Sequence, residues 1–482
     1  LLLTAILLLN LASNYRERAT VDTQTIDLET RVDEEPQPIT IAPDVGRDPQ
    51  IPSNLNINRK NQFTIPNDPR PNERIGDDNG RTEPHNVPPP PGFGDMGRTR
   101  ADDPSRIGGA LSGEAVGMQG PQPRPGAGFP GRAAATREQT LRTNGGTRET
   151  EAAVSRGLIW LSAQQLADGS WQLDGNIKSK IAGTGIALLP YLAAGYTHRS
   201  VTKDPKDKWA GRFPKQVEAG LKYLISKQTP FGDFHSDTMY EHAIATMALC
   251  EAYGMTADKS LQSQAQAAVD YIQFAQHPAG GWRYQPGLAG DVSVTGWQVQ
   301  ALKSAFLAGL KVRKDVLNRA EKFLDSCAAG NPPGSTYGYE KRGSLPSMTA
   351  VGLLSRLYLG WGPKNPALIA GIDELKKTPP RENASDPRAM DIYYYYYATQ
   401  VFYFYGGLEW HEFWNPRMRQ WLLDSQVIGA GPRAGSWTPD NTLTGSSGGR
   451  ILTTSLSLLT LEIYYRHLPI YKRDAAGAMD SD

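Results

Sequence analysis

The sequence predicts an all-α protein built of six helical hairpins, and three observations carry that expectation. From about residue 150 a similar segment returns along the chain, its aliphatic anchors Leu161, Leu224, Ile272, Leu324, Leu375 and Leu422 lying 63, 48, 52, 51 and 47 residues apart. Within each unit a helix with one polar face is followed by a more apolar helix. Between the two lies a turn carrying glycine and then an aromatic residue, as in Gly169-Ser170-Trp171 and Gly435-Ser436-Trp437.

The chain opens on LLLTAILLLNLA, residues 1–12. A run of about a dozen apolar residues is shorter than the roughly 20 needed to cross a bilayer. Because the sequence does not begin with methionine, it reads as the distal part of a transmembrane helix or of a signal segment, and a single-pass membrane anchor is expected. Arg16 and Arg18 after the run would favour a cytoplasmic C-terminal side, whereas an envelope-binding role would put the rest outside the cytoplasm. The expectation leans to the extracytoplasmic side, with sidedness open. Residues 13–145 hold 18 of the 36 prolines and none of the ten tryptophans, with a polyproline patch at Pro88 to Pro91. A stretch so poor in aromatics buries too little apolar surface to offset the entropy of ordering, and a disordered linker is expected. A disordered tail is expected over 473–482.

The hairpins fill residues 146–472. Their first helices run through RGLIWLSAQQLADGSW (156–171), AGLKYLISKQTPFGDF (219–234), AAVDYIQFAQHPAGGW (267–282), RAEKFLDSCAAGNPPGSTYGY (319–339), a degraded AGIDELKKTPP (370–380) and RMRQWLLDSQVIGAGPRAGSW (417–437). Their apolar partners are expected at 183–195, 240–254, 292–310, 346–360, 391–405 and 451–466. Trp160, Tyr223, Tyr271 and Trp421 are each followed five residues later by glutamine, at Gln165, Gln228, Gln276 and Gln426. A glutamine in a helix's last turn can bond freed carbonyls while the ring after the glycine covers the junction, which makes these residues structural clamps. The lack of polar end units favours closure into two concentric rings over an open stack.

The repeated aromatic, Gln, Gly-x-Trp pattern resembles the QW repeats of squalene and oxidosqualene cyclases, and the hairpins resemble the β-subunit of protein prenyltransferases. The stretches DVSVTGWQVQAL, DIYYYYYATQVFYFYGG and LTTSLSLLTLEIYYRHLPIY also look like uncharacterised bacterial proteins with prenyltransferase and squalene-oxidase repeats. The resemblance covers about 150–470 and implies an α6/α6 toroid, six inner helices around a cavity. It further implies an isoprenoid or other apolar ligand.

The chemistry of those families is not written in full. The D-x-D-D acid of squalene-type cyclases is absent, leaving Asp291 and Asp391 at the starts of inner helices, where helix caps are the simpler explanation. The zinc set of the prenyltransferases has one echo, Asp325-Ser326-Cys327, and His411 or His467 as a third ligand leaves zinc as an open alternative, although no metal site and no cofactor is the expectation. His235, Asp237, Glu241 and His242 form the densest polar group, in which Glu241 or Asp237 could work with His242 as acid and base. Trp297, Tyr393, Tyr395 and Tyr396 are candidate ligand-binding rings. Since a helix turns about 100° per residue, only one or two of Tyr393 to Tyr397 can face a lumen.

With 51 basic and 50 acidic residues the chain lacks the charge excess of a nucleic-acid binder. Its two cysteines, Cys250 and Cys327, read as buried thiols. Two functions stay open: a ring that binds or acts on an isoprenoid or other apolar ligand, and a non-catalytic membrane-anchored module for a protein, cofactor or glycan. Whether it is an enzyme is left undecided.

Overall fold

The structure, a computed structural model, describes residues 117–118, 122–200, 212–380 and 391–467. The expected anchor, most of the expected linker and the expected tail lie outside the described residues. Among the described residues no helix is long and apolar enough to cross a membrane.

The fourteen α-helices of the described residues are α1 (Ala134–Thr143), α2 (Arg148–Ala163), α3 (Lys180–Ala193), α4 (Arg212–Lys227), α5 (Met239–Thr256), α6 (Lys259–Phe274), α7 (Val292–Leu307), α8 (Lys314–Cys327), α9 (Pro346–Tyr358), α10 (Pro366–Lys376), α11 (Ile392–Tyr405), α12 (Asn415–Ser425), α13 (Leu443–Leu461) and α14 (Ile463–Arg466). A two-residue strand pair, β1 (Ala328–Ala329) with β2 (Thr336–Tyr337), sits in the fourth hairpin's turn. The helices α3, α5, α7, α9, α11 and α13 are buried almost throughout; each packs against the next, and α13 packs against α3. That last contact closes the inner ring. The even-numbered helices α2 to α12 lie outside it, with one face buried. The protein is therefore an α6/α6 toroid.

Full burial explains why the inner helices lack a polar face: a helix enclosed on every side can be apolar all round. The outer ones keep the amphipathic stripe, with Val316, Leu317, Ala320, Phe323 and Leu324 of α8 buried at three- and four-residue spacing.

The glutamine clamps join neighbouring hairpins. Gln276 Nε2 donates to the Gly280 carbonyl of its own turn at 2.7 Å and to the Val316 carbonyl of the next outer helix at 2.9 Å. Gln165 does the same to Gly169 and Gln216, and Gln228 to Gly232 and Gln264. Gln426 donates to Gly435 at 2.8 Å and to Ala153 of α2, the first outer helix, at 2.9 Å, which seals the outer ring. Trp171, Trp282 and Trp437 each donate their indole N–H to an outer-helix carbonyl, of Leu161, Ile272 and Leu422. Their backbone amides end on Thr184, Thr295 and Thr454 of the inner ring.

Two elements differ from expectation. The linker was expected to reach 145, yet α1 and the chain before it lie across the carboxyl ends of the inner helices. Met118 N donates to Tyr358 O, Gly126 N to Gly254 O, Gln122 Nε2 to Phe306 O and Leu310 O, and Arg137 Nη1 to Ala194 O. Arg132 and Arg137 are buried and paired with Glu251 and Glu151, each at 2.7 Å. This segment is ordered by bonds to helix-end carbonyls rather than by its own apolar surface, so aromatic content does not foretell it. The second difference is α13, which starts at Leu443 rather than 451 and breaks at Gly449, where φ is +69°. The carbonyls of Ser446 and Ser447 before the break accept from Asn176 N and Ile177 N, and Ile451 N after it donates to Asp174 Oδ1.

Candidate functional site

Because every inner helix is preceded by an outer one, all six run the same way and their amino ends meet at one end of the ring. Short polar side chains cap five of them: Ser179 Oγ accepts from Ala182 N, Thr238 from Glu241 N, Asp291 from Val294 N, Asp391 from Tyr394 N, and Thr442 from Thr444 N and Gly445 N. A cavity of about 750 Å³ opens among these ends. Aliphatic side chains make much of its wall, including Leu173, Ile177, Ile186, Ile244, Leu452 and Leu456. Trp297, Tyr240, Tyr284 and Tyr393 add rings, and Asp237, Glu241 and Lys178 are its charged residues.

Glu241 is the buried member of that group. Its Oε2 accepts from Ser179 Oγ at 2.6 Å. Burial pushes its carboxyl up to about 7; the Ser179 bond opposes the rise and the Asp237 charge adds to it. Asp237 is exposed at the mouth, and its carbonyl accepts from Gln285 Nε2 at 2.7 Å.

The other candidate residues separate clearly. His242, next to Glu241 in sequence, points between the rings. Its Nε2 lies 3.0 Å from the Ala268 carbonyl and its ring packs on Phe234 and Tyr271. Burial lowers it to about 4, so it is a neutral core imidazole and does not pair with Glu241 or Asp237. His235 is exposed, with φ +50°. Asp291 and Asp391 are caps off the cavity wall. Asp391 Oδ2 also accepts from Ser347 Oγ at 3.2 Å. Asp291 is fully buried; its Oδ2 lacks a well-formed hydrogen bond although the Tyr339 hydroxyl lies beside it, and burial raises its carboxyl to about 7.

Of the four candidate rings, Trp297 and Tyr393 line the cavity. Tyr396 stands behind Trp297, stacked on it at 5.8 Å, with its hydroxyl bonded to Gln300 and Arg466. Tyr395 faces outward onto Trp414 and Trp421. The Asp-x-Cys echo is off the cavity too: Asp325 is an exposed partner of Arg356, and Cys327 is buried beside Ser326. Among the described residues no group of three or more His, Cys, Asp or Glu could hold a metal ion.

Sequence reasoning missed Ser179, Tyr240, Tyr284, Lys178 and the aliphatic wall. Tyr284 and Lys178 lie a few residues after the Trp282 and Trp171 turns, so the loops that follow the repeated turns were the available signal.

The closed double ring with a cavity at the amino ends of its inner helices defines an α/α-toroid protein. No family model and no curated protein matches the chain. Among solved structures it is similar to the GH76A α-1,6-mannanase of a Salegentibacter species, at 10% identity over 65% of this chain and 98% of that one, with a TM-score of 0.43. It is similar to the type II terpene cyclase MstE from Scytonema, in a variant form with geranylgeranyl dihydroxybenzoate, at 11% identity over 68% and 99% and a TM-score of 0.43. A protein from Actinoplanes is similar at 18% identity over 65% and 99%, with a TM-score of 0.42. The fold assignment rests on the ring closure itself, and these likenesses carry nothing about activity.

Proposed function

We propose that the ring binds a largely apolar ligand, of isoprenoid type or of similar shape, in its central cavity, with the ligand's polar end at Glu241. The observation that carries this reading is the wall: leucine and isoleucine side chains and four aromatic rings surround a space of about 750 Å³ that contains one buried carboxyl. Burying an aliphatic group there gains about 25 cal/mol for each Å² of apolar surface removed from water. The carboxyl argues against cyclisation by alkene protonation. That step needs a strong acid, and a carboxyl raised to about 7 is a weak one. Glu241 is suited instead to holding a polar head, or to general acid–base work on an oxygen or nitrogen.

A second reading has one observation in its favour. Asn176, Thr238, Gln285, Thr444 and Ser447 share the mouth with Asp237 and Glu241, a lining that suits a glycan held without catalysis. Solvent extraction of the purified full-length chain, followed by mass spectrometry, distinguishes the two. The apolar reading expects a co-purifying lipid that is lost when Leu452→Trp fills the cavity. An extract free of lipid, together with retention on a glycan array that Leu452→Trp abolishes, would replace it with the second reading.

A further inference from the structure

Resting on the apolar-ligand reading, we infer that the ligand's head is an organic cation, a protonated amine or quaternary ammonium, held between the Glu241 carboxylate and the rings of Tyr240, Tyr284 and Tyr393. The first ground is what those tyrosines have left to offer. Tyr240 Oη donates to Ser293 Oγ at 2.7 Å, Tyr393 Oη shares the same Ser293 Oγ at 2.5 Å, and Tyr284 Oη lies 2.8 Å from Tyr339 Oη. With their hydroxyls engaged behind the wall, the rings are what they present, and Tyr240 and Tyr284 lie 5.8 Å apart between centroids. Aromatic rings that line one cavity with a carboxyl can recognise a cation through the ring quadrupole and charge pairing.

The second ground is the scarcity of anion donors. One first-turn amide of each of three wall helices is taken by its cap: Ala182 N by Ser179, Glu241 N by Thr238, Gly445 N by Asp440 and Thr442. Lys178, the one basic residue on the wall, is exposed and its ammonium lies on the Asp174 carbonyl at 3.2 Å. Glu241 gives Oε2 to Ser179, and the Asp237 backbone also bonds its carboxyl. An anionic head would meet two acidic side chains and one rim lysine; a cationic head meets three rings, of which Tyr284 has the Arg283 guanidinium 5.8 Å from its centroid, and two acidic side chains, of which Glu241 must give up its proton to pair with the cation.

The test uses full-length protein and three probes of one chain length: dodecyltrimethylammonium, dodecanol and dodecyl phosphate, each titrated calorimetrically below its micelle concentration. The ammonium is expected to bind about tenfold more tightly than either of the others. Glu241→Gln should cost the ammonium about tenfold and leave dodecanol within about twofold. Tyr284→Leu, which leaves Glu241 in place, should selectively weaken the ammonium as well and serves if the first variant does not fold. Phosphate or alcohol binding as tightly as ammonium, or an ammonium affinity unmoved by the substitutions, overturns the cationic head and leaves the apolar reading standing. Failure of all three probes to bind overturns that reading, and this inference with it.

Discussion

A carboxyl that keeps its proton up to about pH 7 in the folded ring loses it near pH 4 in the unfolded chain, and Glu241 and Asp291 both have this property. Between those values the folded state binds more protons, so stability falls as pH rises through the window and levels off above it. For each group the loss across the window is on the order of 3 to 4 kcal/mol by that linkage. Glu241→Gln is therefore expected to flatten the decline in unfolding midpoint between pH 5 and pH 8, and Asp291→Asn to flatten it further; an unchanged slope in both would show that neither carboxyl is held neutral. The polar quartet at residues 235–242 was legible as a candidate site, but its membership was not. Glu241 and His242 are one residue apart and so about 100° apart around the helix, which sends one to the cavity and the other to the core. Which of the two went where depended on the position of the ring axis, a tertiary fact.

At the level of the hairpin, one glutamine supports two junctions. Gln276 is buried and donates both within its turn and to the next helix, so Gln276→Ala leaves the Gly280 carbonyl without this donor and removes the second bond to the Val316 carbonyl, which keeps its helical partner, and should cost about 1–3 kcal/mol by denaturant unfolding. Gln276→Glu, with one amide donor set removed and a charge buried, should cost at least as much. Gly280 itself has φ +104°, and a Cβ there would fall 1.8 Å from the Arg319 carbonyl, so Gly280→Ala forces the two hairpins apart. The glutamines and turn tryptophans stood out in the sequence because they recur at fixed offsets. Their threonine partners did not, since Thr184 and Thr295 lie 13 residues after the tryptophan whereas Thr454 lies 17 after it.

Over the whole ring, the two ends differ in their ionisable groups. Asp237, Glu241, Asp291, Asp391 and Asp440 gather at the amino ends of the inner helices, while at the carboxyl ends Arg132, Arg137 and Arg466 form a buried network with Glu151, Glu251 and Glu462. The carboxyl end is covered by a segment that sequence composition marked as linker. Arg137→Ala would strand the Glu151 carboxylate and is expected to destabilise the ring by about 3–5 kcal/mol. A chain begun at residue 146 should fare worse than one begun at 117 when their melting temperatures are compared, and equal values would show the covering segment to be dispensable. The period of about 50 residues made the hairpins readable, but the cover is a single copy and carries no period.

The bond from Gln426 to Ala153 leaves the sixth hairpin with no vacant neighbour. Open stacks tolerate gain or loss of a unit at an end; here a duplicated or deleted hairpin would demand a new angle at every remaining junction at once. Unit number is thereby fixed by the closure, and within the ring an insertion is accommodated only in the stretches between helices.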